Sequence, residues 1–260
     1  KRIGKSLVSF SKGPKVHHFR YFQNSKSAQR IVSALTAEGD NWEGFEPLEK
    51  PTVDIARAIA LRSAEPRPVV FVIPGIMGSE LQVGGDHVWL DIPDVIFGGV
   101  GQLRIEAKSV KATQPFSRYY GELIEYLARS HKVVPFPFDW RLRVEKEADR
   151  LAEQVRREFD EAKRHNKPVR ILAHSMGGLV ARAMIARHES LWRELCSVPG
   201  ARLLMLGTPN GGSHAITELL VAQSSTLRQI AFIDLKHNKK ELLEIISRFP
   251  GVLAMLPKDS

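Results

Sequence analysis

Val169-Arg170-Ile171-Leu172-Ala173-His174-Ser175-Met176-Gly177-Gly178-Leu179-Val180 runs from a short apolar segment straight into helical spacing, with Ser175 at the join. Val169 to Leu172 reads as a buried strand, and the apolar helical pattern begins directly after Ser175. A turn that tight needs small flanking residues, and Ala173, Gly177 and Gly178 supply them. Strand, sharp turn and helix together form the setting of a nucleophile elbow. Such an elbow lifts a serine hydroxyl above the sheet and leaves the next backbone N–H free for an oxyanion. The first small position is Ala173 rather than glycine, which adds a methyl to a crowded turn. The competing reading is an ordinary strand-to-helix connection with a capping serine.

Working outward, Val69 to Ile73 is a β-branched run ended by Pro74-Gly75, a strand followed by a loop. His131 to Pro135 gives a shorter strand. Arg202 to Leu206 gives another, ended by Gly207-Thr208-Pro209-Asn210-Gly211-Gly212-Ser213. Tyr120, Leu123, Ile124, Leu127 and Ala128 follow helical spacing, as do Ala148, Leu151, Ala152, Val155, Phe159 and Ala162. Strands alternating with amphipathic helices imply parallel βαβ units with active groups at the carboxyl ends of the strands. Pro74-Gly75, Ser175 and the Gly207–Ser213 loop should therefore meet on one edge. The expected class is α/β, an α/β-hydrolase fold with a mostly parallel sheet flanked by helices.

Further segments resemble the lecithin:cholesterol acyltransferase family of lipases and acyltransferases. Val72-Ile73-Pro74-Gly75-Ile76-Met77-Gly78-Ser79-Glu80-Leu81 is similar to that family's oxyanion loop. Val88-Trp89-Leu90-Asp91 looks like its segment beside the lid, and Phe138-Asp139-Trp140-Arg141 is similar to a Tyr-Asp-Trp-Arg signature. Gly207–Ser213 and Phe249-Pro250 through Leu256-Pro257 complete the set. GPI-inositol deacylases also use a His-Ser-Met-Gly-Gly elbow, but the Asp-Trp-Arg and Phe-Pro segments argue against them.

The resemblance implies Ser175 as nucleophile, with the backbone N–H groups of Ile76 and Met176 as the oxyanion hole. Elbow chemistry agrees, since one donor follows the nucleophile and the other comes from the loop after the first strand. Ala173 and Gly177 shape the elbow. Asp139 and Arg141 read as a structural charge pair holding their loop, and His174 reads as a packing residue. Trp89, Ile96 and Phe97 belong to a segment with two open readings, a mobile apolar lid that meets lipid or an ordinary amphipathic stretch.

Triads of this class run Ser, then Asp, then His along the chain, and the family places its acid and histidine beyond the Phe-Pro…Leu-Pro segment. Asp234, Asp259, His188, His214 and His237 are poor candidates for those roles. The expectation is a piece of a longer protein, truncated before the last core strands, with further domains in the same chain. Alone, these residues are expected to be inactive or weakly active, because an unassisted serine is a poor nucleophile.

An apolar share of 43% with 26% charged residues suits a packed α/β domain. No apolar run approaches the roughly 20 residues of a membrane-spanning helix. The single Cys196 excludes an internal disulfide, which leans toward a cytoplasmic setting without fixing it. The net charge of +9 is local: eight Lys or Arg precede the first acid, Glu38, and the rest of the 38 bases nearly balance the 29 acids. Residues 1–66 thus read as a basic extension with short helices at 27–37 and 52–64, joining other domains or touching an anionic lipid surface. Residues 67–260 read as the hydrolase core.

No metal-ligand spacing appears, no cofactor is expected, and nucleic acid is not expected as a partner. The expected partner is a lipid or other acyl ester, with transient contact at a membrane surface. The expected activity is that of a serine esterase, lipase or acyltransferase. The alternative is a non-catalytic interaction module on the same scaffold.

Overall fold

A four-stranded parallel sheet forms the centre of the chain, in a computed structural model that describes residues 66–84, 86–89, 99–107, 109–223 and 237–257. Its strands are β1 (Val69–Ile73), β5 (Lys132–Pro135), β6 (Val169–His174) and β7 (Arg202–Leu206), in the order β5-β1-β6-β7. The register pairs Phe71 with Ile171 and Val134, and Ile171 with Leu203. Every residue of β1 and β6 is buried, as expected for strands covered on both faces.

Alternation along β1 divides the core in two. Val69, Phe71 and Ile73 face α2 (Val144–Arg164) and α3 (Met176–Arg187), while Val70 and Val72 face α1 (Ser117–Leu127). Helix α2 buries the stripe Ala148, Leu151, Ala152, Val155, Phe159 and Ala162. Each large apolar member of that stripe contributes roughly 1.5–3 kcal/mol on burial. Glu145 and Glu147 in its first turn and Lys163 and Arg164 in its last complement the helix dipole. Helix α4 (Glu189–Cys196) is tied to α2 by the Arg156–Glu194 ion pair.

A second, antiparallel sheet of order β3-β2-β4 grows from the end of β1. It comprises β2 (Ser79–Val83), β3 (Asp86–Trp89) and β4 (Val110–Pro115). The sequence reading gave no strands here. Trp89 pairs through its backbone with Leu81, at the end of β3. Helices α5 (His214–Leu220), α6 (Lys239–Ile246) and α7 (Pro250–Leu253) follow β7. The basic segment 1–65, its two expected helices, Ile96, Phe97, Asp234 and Asp259 lie outside the described residues.

His131 does not open β5 as expected. Its N–H bonds the Leu127 carbonyl at 2.9 Å and closes the turn from α1 instead. The ring is buried between Ser130 Oγ (2.8 Å) and Arg170 Nη1 (2.7 Å). Arginine offers only donors, so Nε2 accepts and the imidazole is neutral, with its proton on Nδ1. Burial first, and then the Arg170 charge, push its pKa down to about 4.

An unfolded histidine titrates near 6.5. Between pH 6.5 and 4 the unfolded chain therefore binds the extra proton, and stability falls as pH falls, by up to about 3 kcal/mol. A His131→Gln variant should lose that slope. Urea unfolding at pH 7, 5.5 and 4 checks this, and parallel losses in the two proteins would reject it.

Candidate active site

Ser175 sits where β6 turns into α3, with φ 52° and ψ −123°. A non-glycine residue held there stores about 1–3 kcal/mol of backbone strain, which the surrounding contacts must hold in place. The Ser175 N–H bonds the Leu206 carbonyl at 2.8 Å, and its carbonyl accepts from the Gly178 N–H at 3.0 Å. Space is equally constrained: a Cβ on Gly177 would lie 2.3 Å from the Pro74 carbonyl oxygen, and one on Gly178 would lie 1.9 Å from Thr208 Oγ1. Ala173 is fully buried in the core behind the turn. The ends of β1, β6 and β7 therefore converge on Ser175, the edge that parallel topology predicts.

The loop after β1 passes directly beside the serine. A Cβ built on Gly75 would stand 3.0 Å from Ser175 Cβ. Ile76 follows, and Met176 opens α3, where first-turn N–H groups have no intrahelical acceptor. Among the described residues neither the Ile76 nor the Met176 N–H has a backbone acceptor. The loop is fixed from both ends. The Gly75 N–H donates to Tyr120 Oη at 2.9 Å and the Gly78 N–H to the Gly75 carbonyl at 3.1 Å. The Phe116 N–H meets the Gly78 carbonyl at 3.0 Å, and the Phe138 N–H meets Ser79 Oγ at 3.1 Å.

His174 does more than pack. Its Nδ1 lies 2.8 Å from Tyr120 Oη, both side chains being buried. The sequence reading missed this contact. The available signal was a tyrosine at an apolar helical position, whose hydroxyl must find a partner once buried.

Asp139 and Arg141 are 5% and 2% exposed and pair bidentately, Nε to Oδ1 at 2.8 Å and Nη2 to Oδ2 at 2.6 Å. Arg141 Nη1 also donates to the carbonyls of Leu103 and Arg104. The Arg141 carbonyl accepts from Gly251, and Trp140 meets Phe249 edge to face at 5.7 Å. A Cβ on Gly251 would lie 2.7 Å from Met176 Cε, so the Asp-Trp-Arg and Phe-Pro segments pack together beneath the elbow.

Among the described residues, Ser175 forms hydrogen bonds only through its backbone. His188 ends α3, roughly 18 Å along that 12-residue helix from Ser175, and bonds Asp149. His165 pairs with Glu161, and His237 packs over Gly101. His214 begins α5 after the β7 loop, which Arg182 ties to α3 through Asn210. Among the described residues no cluster of His, Cys, Asp and Glu could hold a metal ion.

A mostly parallel sheet flanked by helices, with a serine at the strand-to-helix turn, defines an α/β-hydrolase fold. Residues 107–260 match the lecithin:cholesterol acyltransferase family, and the chain belongs to that family. The match includes Ser175 and the Phe138–Arg141 and Phe249–Pro257 segments, whereas Ile76 and Trp89 precede it. No curated protein matches the sequence. A similar solved structure is the lipase BlEst2 of Bacillus licheniformis in its mature form, at 15% identity and a TM-score of 0.38. The similarity covers 73% of this chain and 63% of the lipase, so the chain spans less than two thirds of that protein.

Proposed function

We propose that the chain carries the nucleophile and oxyanion hole of a serine esterase, lipase or acyltransferase acting on acyl esters, phospholipids among them. The observation that supports this most is Ser175 itself. It is held at φ 52° on a strand-to-helix turn, with no side-chain hydrogen bond among the described residues and the β1 loop against it. A purely structural turn has no use for a strained serine.

In the proposed reaction Ser175 Oγ attacks the ester carbonyl carbon and gives its proton to a general base. The negative charge on the carbonyl oxygen is met by the Ile76 and Met176 N–H groups. Collapse expels the alcohol, which takes up a proton, and leaves an acyl-serine. Water or a second alcohol then removes the acyl group.

A fluorophosphonate should label Ser175 in the intact protein, with labelling absent from Ser175→Ala. Persistent labelling of that variant would remove Ser175 as nucleophile. A folded wild-type protein that never labels would favour an interaction module.

The oxyanion assignment has its own test. Ile76 contributes only its main chain, so Ile76→Val should keep most activity, whereas Ile76→Pro deletes the donor and should cost roughly 10²–10³ in kcat. A folded Ile76→Pro enzyme, verified by circular dichroism, with near-normal kcat would place the second donor elsewhere.

A further inference from the structure

We propose that the Tyr120 hydroxyl is a positioning group for the oxyanion hole, holding the Gly75 amide so that the next N–H, that of Ile76, faces the substrate oxygen. This rests on the assignment of Ser175 and Ile76 above and adds a residue from α1, far from both in sequence. Tyr120 lies on the core face of α1 with Leu123 and Leu127, where a phenylalanine would fill the same space. The hydroxyl is what phenylalanine lacks, and burying it without partners would be unfavourable.

Two contacts explain its presence. It accepts from the Gly75 N–H at 2.9 Å, and it lies 2.8 Å from His174 Nδ1. The hydroxyl thus accepts from Gly75 and shares one proton with His174 Nδ1, so both residues anchor the same oxygen. Burial pushes the Tyr120 pKa up, so the hydroxyl stays protonated and uncharged.

The relay therefore links the residue before the nucleophile to the residue before the oxyanion donor. The Gly75 carbonyl, in the same peptide plane as the Ile76 N–H, accepts from the Gly78 N–H at 3.1 Å, while the Tyr120 hydroxyl anchors the preceding Pro74–Gly75 plane. Without the hydroxyl, the Gly75 donor would be left unmet and the Pro74–Gly75 plane would lose its anchor, leaving the Gly78 turn alone to orient the following peptide. The Ile76 N–H would then be misaligned rather than lost, so the effect should be smaller than that of deleting it.

The test combines a structural and a kinetic readout on the intact protein. With selective ¹⁵N-glycine labelling, the Gly75 amide of the wild type should be strongly protected from hydrogen exchange. Tyr120→Phe should speed that exchange at least ~10-fold while amides of β6 stay protected. In turnover of a soluble p-nitrophenyl ester, Tyr120→Phe should lower kcat roughly 10–100-fold with KM within about threefold. Combined with Ile76→Pro it should add almost nothing, because both changes act on one donor.

An unprotected Gly75 amide in the wild type overturns the proposal without any variant. So do unchanged Gly75 exchange in a folded Tyr120→Phe protein, a normal kcat, or additive losses in the double variant. Turnover that survives Ser175→Ala would instead defeat the nucleophile assignment, and the exchange measurement would still decide whether Tyr120 holds Gly75.

Discussion

Ser175→Ala is expected to lower ester turnover of the intact protein by roughly 10⁴–10⁶-fold while leaving the fold in place. The kinetic half follows from the proposed role of Ser175 Oγ as the atom that forms the acyl bond. What remains is oxyanion and binding catalysis, worth roughly 10³–10⁴-fold over water. The structural half follows from the bonding: among the described residues Ser175 uses its N–H and carbonyl, not its hydroxyl. Alanine meets the same φ of 52° with a smaller side chain, so stability should change by no more than about 1 kcal/mol. Thermal unfolding and steady-state turnover, measured side by side, separate the two halves. A variant keeping a tenth of the wild-type rate would mean that another group attacks the ester.

Asp139→Ala should be among the most destabilising single changes, at about 3–5 kcal/mol, because it leaves a buried guanidinium without its counter-charge. Arg141 would keep its bonds to the Leu103 and Arg104 carbonyls but lose both carboxylate contacts. Its carbonyl anchors Gly251, so the damage should spread to α7 and to the packing under Met176. For a domain of this size the melting temperature should drop by roughly 6–20 °C. Pairing the change with Arg141→Met should cost less than the two single losses added together, since no charge then remains unpaired. A loss below about 1 kcal/mol for Asp139→Ala would show the pair to be dispensable.

The parallel sheet was largely readable from the amino acids, because its strands are continuous apolar runs closed by glycine and proline. Val69–Ile73 and Arg202–Leu206 have the same bounds in sequence and structure. β6 runs on to His174, past the expected end at Leu172, because the register with β7 continues through Ala173 and His174. The second sheet was not readable. Ser79–Val83 and Val110–Pro115 are short and half exposed, and they become strands only by pairing with each other. The Tyr120–His174 contact was hidden for a related reason: the partners lie 54 residues apart, and each fits an ordinary local pattern alone. The elbow, by contrast, is written in adjacent residues.

The span from Pro74 to Gly78 is clamped by bonds from Tyr120, Phe116 and, one residue on, Phe138. That leaves it no slack for insertion or deletion: one added residue would carry the Gly75 N–H, the Gly78 carbonyl or Ser79 Oγ out of register with its partner. The β2–β3 turn is the opposite case. Gly84 there has a φ of +64° and, among the described residues, nothing within 4 Å of where a side chain would begin. Chain length can therefore vary at the tip of the antiparallel sheet without disturbing its root. A loop grafted at Gly84 would lengthen only that tip, leaving the Pro74–Gly78 span, where the proposed Ile76 donor lies, clamped at the sheet's root.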